Sequence, residues 1–568
     1  MNEKSPEIKF GLALSGGGFR AALFHVGVLA RLAEADLLRK IDVISSVSGG
    51  SIIAAYYYLK VKALLEERPE SGADAPDRES YIRMVSEIEI DFLTAVQKNM
   101  RMRTFLDPGK NARMMGEDYS NTERLAELLT DYFYKPLRPQ NIDEFLNDLI
   151  PLKSIPIQPA MGALSSRTKV PFLIINATSL NTGHLWQFTG VSIGEQQTDY
   201  RTDHEPIGYL KKFRIDDERL TMDQRKILYN ITLGQAVAAS SCVPGILEPL
   251  YIKHLYRIDK APLTVRLVDG GLVDNQGLAS LYVENCTHII CSDASDILKL
   301  QPDPSPQFLN VARRANDILM DRIRNKSLTQ LLKYGSGRYA LFYLGDHSTC
   351  NDIFPKDSEQ IVRALSKIRT DMDSFTDMEA YTLMYYGYEL SGKVLQANGF
   401  DLMESGLPND TPDWRFLKIR DRFLLNDAGR KELLHHLDVG SRQMFKVFML
   451  NRPMPYIIAL LLPALITLFC LFLIIKTSPK IFWLILLCAV LVLIYTQNAR
   501  ILQLMDNVAF LRKIKDRILK TLLSLRLPEP ISYLIALASW IQLTVFDRLF
   551  LRYGRIRDEA DKKSLKKV

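Results

Sequence analysis

Cysteine and histidine are both scarce in this chain. Its 568 residues include only six cysteines and eight histidines. No two of the cysteines stand in a Cys-x-x-Cys arrangement: Cys242, Cys286, Cys291, Cys350, Cys470 and Cys488. Such scattered cysteines argue against a disulfide framework or a zinc site and favour a reducing compartment. We therefore expect neither a structural metal nor another cofactor.

A strong excess of one charge is also missing. The chain has 72 Lys and Arg against 65 Asp and Glu, a net charge of +7. So small an excess over this length does not indicate a nucleic-acid-binding protein. The length predicts two or more domains. The first ten residues lack the apolar core of a signal peptide, so we do not expect export by that route.

Long apolar runs are confined to the C-terminal third. Residues 455–475 carry no charged side chain, over the roughly 20 positions that a membrane-spanning helix needs. A second apolar run, residues 481–495, follows a short polar break at residues 476–480. Two such runs in tandem predict a transmembrane hairpin over residues 451–500. The alternative is a helical hairpin buried in a soluble core.

The residues after this hairpin form a basic tail, residues 501–568. Within it, residues 501–527 combine helical apolar spacing with a basic face, which predicts a helix lying on anionic headgroups. The alternative is a helix that packs on its own domain with a solvated basic face. A third apolar stretch, residues 531–546, fits an interfacial, a re-entrant or a spanning segment, and the sequence does not choose among them.

Basic residues lie mainly outside the predicted hairpin rather than in its turn. Because positive residues mark the cytoplasmic side, we expect a two-span membrane protein whose N-terminal domain faces the cytoplasm. The flanks carry Arg442, Lys446, Arg452, Arg500, Arg512, Lys513, Lys515 and Arg517, whereas the turn carries Lys476 and Lys480.

The first 300 residues alternate short apolar runs with longer helical patterns, which is typical of an α/β domain. Between the second and third runs, residues 64–161 are polar and helical, as expected of an insertion or cap. The runs predict five strands: Phe10–Leu14, Ile41–Val47, Phe172–Ile175, Thr264–Val268 and His288–Cys291.

Three motifs rich in small residues stand at the ends of predicted strands. The first, residues 15–20, reads Ser-Gly-Gly-Gly-Phe-Arg and precedes a helix. A nucleotide P-loop would need Gly-Lys-Ser/Thr, and a dinucleotide site would need an acid after the second strand, so both are weakly supported. An oxyanion hole needs only N–H groups aimed at one point, and glycines supply these.

The second motif, residues 46–51, reads Ser-Val-Ser-Gly-Gly-Ser and lies between a strand and a helix. This placement fits a nucleophile elbow centred on Ser48, although a helix-capping turn is nearly as good an interpretation. The third motif is Asp269-Gly270-Gly271, which by itself is a common turn.

Taken in this order, the three motifs resemble those of the patatin-like phospholipase family. The Gly-Gly-Gly-Phe-Arg-Ala stretch is also similar to that of cytosolic phospholipase A2 enzymes. The resemblance covers about residues 8–300. It implies a three-layer α/β sandwich with a central, mostly parallel sheet over residues 8–400, joined by a helical connector, residues 401–450, to the membrane-associated region.

The resemblance also implies a Ser–Asp dyad in which Ser48 is the nucleophile and Asp269 the general base, without a catalytic histidine. Arg20 would steady the glycine loop or attract a lipid phosphate. The expected function is a membrane-anchored lipid acyl hydrolase of the phospholipase A or lysophospholipase type. A transacylase and a non-catalytic lipid-binding scaffold are the alternatives. The oxyanion hole would use three successive N–H groups, those of Gly16, Gly17 and Gly18.

Overall fold

The structure is a computed structural model, and it describes most of the chain outside the apolar C-terminal segment. The predicted hairpin, residues 451–500, and the basic helix, residues 501–527, lie outside the described residues. The described ranges are 8–66, 76–116, 119–137, 170–196, 210–214, 217–258, 261–295, 298, 300–333, 338–346, 353–354, 358–400, 413–424, 427–443, 446–450 and 528–556.

The described residues contain a mixed sheet whose parallel strands extend inward from one edge. The strands are β1 Phe10–Leu14, β2 Ile41–Val47, β3 Phe172–Ser179, β4 Leu185–Thr189, β5 Ser192–Glu195, β6 Phe213–Arg214, β7 Leu250–Ile258, β8 Ala261–Asp269, β9 His288–Asp293 and β10 Arg338–Tyr343. Their order is β10-β9-β1-β2-β3-β4-β5-β6, and β8 pairs with both β3 and β7. The strands from β10 to β3 in this order run parallel, and the remaining pairs are antiparallel.

Helices follow or separate these strands, and further helices follow the last one. They are α1 Gly18–Glu34, α2 Gly49–Glu66, α3 Arg78–Val96, α4 Met100–Thr104, α5 Pro108–Met114, α6 Asn121–Leu129, α7 Met222–Asn230, α8 Leu233–Ser240, α9 Gly271–Asp274, α10 Leu278–Val283, α11 Phe308–Lys333, α12 Ser358–Lys367, α13 Asp377–Ala397, α14 Arg420–Leu424, α15 Asp427–Gly440, α16 Lys446–Leu450, α17 Pro528–Ile541 and α18 Asp547–Tyr553. The shorter turns are 3₁₀ at Leu38–Lys40, Lys135–Leu137 and Arg415–Ile419, and π-helical at Thr130–Tyr134 and Gln542–Phe546.

Helices cover both faces of the sheet. Side chains along a strand alternate between the two faces, so each face has apolar side chains for helices to bury. Leu12 and Leu14 of β1 join the larger core, which includes α1, α2 and α13. Ala13 points the other way, into a smaller core that includes Leu278 of α10 and Leu331 of α11. The predicted α/β class and its three layers are therefore confirmed, and all five predicted strands are present.

The polar segment that the sequence placed in an insertion or cap contributes to the main core. Its described helices α3 to α6 bury Tyr81, Phe92 and Leu125 in the same cluster as β1 and α1. Phe92 contacts Tyr56 of α2 edge to face, with ring centroids 5.3 Å apart. In the part of the segment that is described, these helices are thus a layer of the domain and not a separate cap.

Helix α13 packs directly on α1 through glycines on both helices. A Cβ added to Gly27 would lie 1.8 Å from the carbonyl oxygen of Met384, and one added to Gly387 would lie 2.3 Å from that of Phe24. Only glycine permits so close an approach of two helix backbones. Residues beyond the third motif therefore help to hold the helix that begins at the glycine loop.

Candidate active site

The pairing of β3 brings the serine and aspartate motifs together. On one edge of β3, Asn176 pairs with Val47, the last residue of β2. The next residue, Ala177, pairs on that edge with Asp269, the last residue of β8. The ends of β2 and β8 therefore meet, and the Ser48 hydroxyl is near enough to the Asp269 carboxylate to lower its pKa.

Ser48 occupies a sharp turn between β2 and α2. Its φ of +50° is unusual for a residue other than glycine and marks local strain. A Cβ added to Gly49 would lie 2.0 Å from the carbonyl oxygen of Gly18, and one added to Gly50 would lie 2.3 Å from that of Leu14. This is the strand–turn–helix geometry of a nucleophile elbow, and it requires small residues after the serine.

Ser240, at the end of α8, fixes the backbone of the elbow. Its hydroxyl accepts a hydrogen bond from the Ser48 N–H at 2.9 Å and donates one to the carbonyl oxygen of Asn176 at 2.6 Å. The Ser51 hydroxyl lies 2.9 Å from the Ser240 hydroxyl. Sequence reasoning did not identify Ser240, because a serine in the stretch Ser-Ser-Cys-Val-Pro carries no signal of that role.

Asp269 is held in place by backbone contacts and is almost fully buried. Its N–H donates to the carbonyl oxygen of Cys242 at 2.9 Å, and its carboxylate accepts the Gly271 N–H at 2.8 Å. Burial raises the pKa of Asp269 to about 6, although the hydrogen bonds from Gly271 and Ser48 oppose this rise. The carboxylate is therefore ionised at neutral pH, yet it is a stronger base than an exposed aspartate.

The glycine loop passes beside the elbow. A Cβ added to Gly16 would lie 3.2 Å from the Cβ of Ser48. Gly17 and Gly18 have φ values of +137° and +58°, and no described residue accepts a hydrogen bond from either N–H group. The Gly16 N–H instead donates to the carbonyl oxygen of Asn275 at 3.0 Å. Of the three expected oxyanion donors, Gly16 is thus the one whose N–H has an acceptor among the described residues.

Arg20 is buried and fastens the glycine loop to residues distant in sequence. Its guanidinium donates to the carbonyl oxygens of Ser366 and Ile368, both at 3.0 Å, and to that of Ala294 at 2.9 Å. The side chain is 1% exposed, so it does not present a charge to a ligand in solvent. Of its two expected roles, the geometry favours the steadying of the loop over the attraction of a phosphate.

His25 lies behind the glycine loop, with both ring nitrogens engaged. Nδ1 is 2.7 Å from the Ser292 hydroxyl, and Nε2 is 3.1 Å from the carbonyl oxygen of Ser15. Burial lowers the pKa of His25 to about 4, which keeps the ring neutral. Within the described ranges, the hydrogen-bond partners of Ser48 and Asp269 include no histidine.

Comparison with solved structures finds two that are similar to this chain. Both are structures of human GIVD cytosolic phospholipase A2, one of them in complex with a methyl gamma-linolenyl fluorophosphonate inhibitor and terbium chloride. Each is 15% identical with a TM-score of 0.35, and the match covers 70% of this chain. It covers 64% and 60% of those chains, less than two thirds of their length.

A comparison with curated proteins gives no match. The model of the patatin-like phospholipase family matches residues 12–282, a range that contains the glycine loop, the serine elbow and Asp269. Residues 12–282 are therefore a patatin-like phospholipase domain.

Proposed function

We propose that the protein is a lipid acyl hydrolase of the phospholipase A or lysophospholipase type, acting through an acyl-enzyme on Ser48. One observation carries this proposal: the ends of β2 and β8 bring Ser48 beside the buried Asp269 carboxylate, whose pKa burial raises to about 6. A base of that pKa is ionised at neutral pH and can take the proton of an attacking hydroxyl.

In the first half-reaction, Ser48 Oγ attacks the carbonyl carbon of the ester while its proton passes to Asp269. The developing oxyanion accepts hydrogen bonds from the N–H groups of Gly17 and Gly18. Neither N–H group has an acceptor among the described residues. When the carbon–oxygen bond breaks, Asp269 returns the proton to the leaving alcohol. Ser48 then holds the acyl group as an ester.

In the second half-reaction, Asp269 accepts a proton from water as the water oxygen attacks the acyl carbon. The Ser48–acyl bond breaks, Ser48 regains its proton from Asp269, and a fatty acid leaves. No histidine is required, because one carboxylate serves as base and then as acid in each half. Hydrolysis in ¹⁸O-water tests this route, since one labelled oxygen should enter the fatty acid; a labelled acyl donor that yields only new esters would indicate a transacylase instead.

Apolar side chains beside the dyad support a lipid substrate. The turn after α8 begins at Cys242, whose carbonyl oxygen accepts the Asp269 N–H. On that turn, Val243 is 37% exposed and Ile246 is 71% exposed. Exposed apolar residues next to a catalytic group suit an ester whose acyl chain enters from a membrane.

The proposal includes a membrane anchor over residues 451–500, with the catalytic domain in the cytoplasm. Its support is the sequence pattern of two uncharged runs and the positive residues on their flanks. A Ser478→Cys variant without native cysteines should react with an impermeant maleimide outside intact cells, and a Ser71→Cys variant only after lysis. Labelling of Ser71→Cys in intact cells would overturn the orientation.

A further inference from the structure

In helix α17 and its continuation, small side chains face the domain and large apolar side chains face outward, the reverse of an ordinary surface helix. Among the described residues, Ser532–Tyr553 is the one helix long and apolar enough to cross a membrane. Small side chains at helical spacing, those of Ser532, Ala536 and Ser539, are nonetheless buried against the catalytic domain. The large apolar side chains point outward instead: Tyr533, Leu534, Leu537, Trp540, Ile541 and Val545.

The N-terminal part of this helix is fastened to α5. The Asn111 side chain donates to the carbonyl oxygen of Ser532 at 3.2 Å, and it also donates to that of Phe105 at 2.8 Å. Asn111 is itself buried. The start of the helix thus rests on a polar contact of the catalytic domain.

The C-terminal part is fastened to two other regions of the same domain. The Asp547 carboxylate is buried and accepts a hydrogen bond from the Asn99 side chain. Phe550 stacks on His436 of α15, with ring centroids 5.6 Å apart. Just past the helix, the carbonyl oxygen of Gly554 accepts the Met378 N–H at 3.0 Å.

These contacts are incompatible with a spanning helix. Its two ends would have to lie on opposite sides of about 30 Å of hydrocarbon, yet both ends contact the same α/β domain. The buried Asp547 and Asn99 would also enter the membrane with the helix, and polar groups are costly there. The helix therefore runs along the surface of the catalytic domain.

We propose that residues 533–545 lie in the plane of a lipid bilayer, at its headgroup–acyl boundary, and seat the catalytic domain on the membrane. Trp540 and Tyr533 are 54% and 64% exposed, and these residue types favour the membrane interface. The exposed arginines that follow would contact anionic headgroups: Arg548, Arg552 and Arg555.

The position of the helix in the chain favours lipid over a protein partner. Helix α17 begins directly after residues 451–527, which contain both uncharged runs. Near the other end of that segment, Phe448 of α16 packs on Phe546 with ring centroids 5.1 Å apart. The chain thus leaves the domain and returns to it beside this apolar face. The inference rests on the proposed membrane association but not on the proposed hydrolysis.

The test places one nitroxide label at a time on the full-length protein, in a variant lacking native cysteines, reconstituted in equimolar phosphatidylcholine and phosphatidylserine. Leu537→Cys and Ile541→Cys report on the exposed face, and Ser539→Cys reports on the buried face. Lys326→Cys, at an exposed position of α11, is the solvent control. Collision with oxygen reports contact with lipid, and collision with a water-soluble nickel chelate reports contact with water.

We expect the labels at 537 and 541 to collide with oxygen at similar, shallow depths, the label at 539 to collide with neither reagent, and the label at 326 to collide with nickel. A depth that changes steadily along the helix, with 539 also open to oxygen, would indicate a spanning helix and overturn the proposal. Labels at 537 and 541 shielded from both reagents would mean that protein covers the face, either a second copy or residues 451–527. Collision of these labels with nickel would mean that the face is in water.

Discussion

Ser48 lies beside the buried carboxylate of Asp269, and its hydroxyl opposes the rise in the Asp269 pKa that burial causes. The two residues are far apart in sequence and meet because β2 and β8 end against successive residues of β3. Their geometry depends on the register of a sheet, which is rigid, and not on a mobile loop. The proposed chemistry therefore has consequences for pH dependence, stability and labelling that can each be measured.

The pH dependence should follow the ionisation of Asp269. A general base acts only when it is deprotonated, and the pKa of this carboxyl is raised to about 6 by burial. We expect kcat/KM for a soluble ester to rise with pH, about tenfold per unit well below 6, and to level off above it. An acid limb that persists unchanged in Asp269→Asn would show that another group titrates.

Asp269→Asn should inactivate the enzyme and stabilise it. Loss of the base should lower kcat on the order of a hundredfold or more. Because the folded-state pKa lies above the unfolded value, the folded protein binds more protons between about pH 4 and 6, and stability is lost as the pH rises through that window. Removing this cost should raise stability at pH 7 by up to about 3 kcal/mol.

Thermal unfolding of the detergent-solubilised protein measures that gain, and the gain should vanish at pH 4. His25→Gln is the matched control, because it removes a buried titratable group that contacts Ser15 and Ser292 but not the dyad. It should retain far more activity than Asp269→Asn. Equal inactivation of the two variants would point to a catalytic histidine.

Arg20→Lys should loosen the glycine loop without changing substrate charge preference. Lysine cannot reproduce the donation of one guanidinium to Ser366, Ile368 and Ala294, so the Gly17 and Gly18 donors should lose their alignment. We expect kcat to fall about tenfold or more, as for a misplaced oxyanion donor, with similar KM changes for neutral and anionic esters. A KM that rises only for anionic lipids would instead support phosphate binding by Arg20.

Ser240→Ala and Ser241→Ala form a matched pair of neighbouring substitutions. Ser240→Ala leaves the Ser48 N–H without its acceptor, which should cost about 1–3 kcal/mol of stability and lower kcat. The Ser241 hydroxyl is buried and has no hydrogen-bond partner among the described residues, so its removal should be neutral or stabilising. Unfolding and steady-state kinetics distinguish the two, and equal effects would remove Ser240 from the elbow.

The parallel strands β1, β2, β3 and β9 could be predicted from the sequence, because a strand buried on both faces is a largely apolar run. The predicted bounds of β1 and β2 match the structure at both ends. The motifs were visible for a related reason, since close backbone approaches at Gly49 and Gly50 require glycine. Strands such as β4 and β7 were not predicted, because polar residues interrupt their apolar runs.

Contacts between segments distant in the chain could not be predicted from the sequence. The acceptors of Arg20 lie at 294, 366 and 368, and no local pattern links them to residue 20. The sequence also gives no sign that the Gly16 N–H donates to the carbonyl oxygen of Asn275. The apolar stretch at 531–546 likewise fitted three arrangements, because hydropathy alone does not show which face of a helix is buried.

The most direct test of the central claim is the site of a covalent adduct. The full-length protein is treated with a fluorophosphonate probe, digested, and mapped by mass spectrometry. We expect the adduct on Ser48, absent from Ser48→Ala, greatly slowed in Asp269→Asn, and retained in Ser51→Ala, whose side chain contacts Ser46 and Ser240 behind the elbow. An adduct on another serine, or undiminished labelling of Ser48→Ala, would contradict the account.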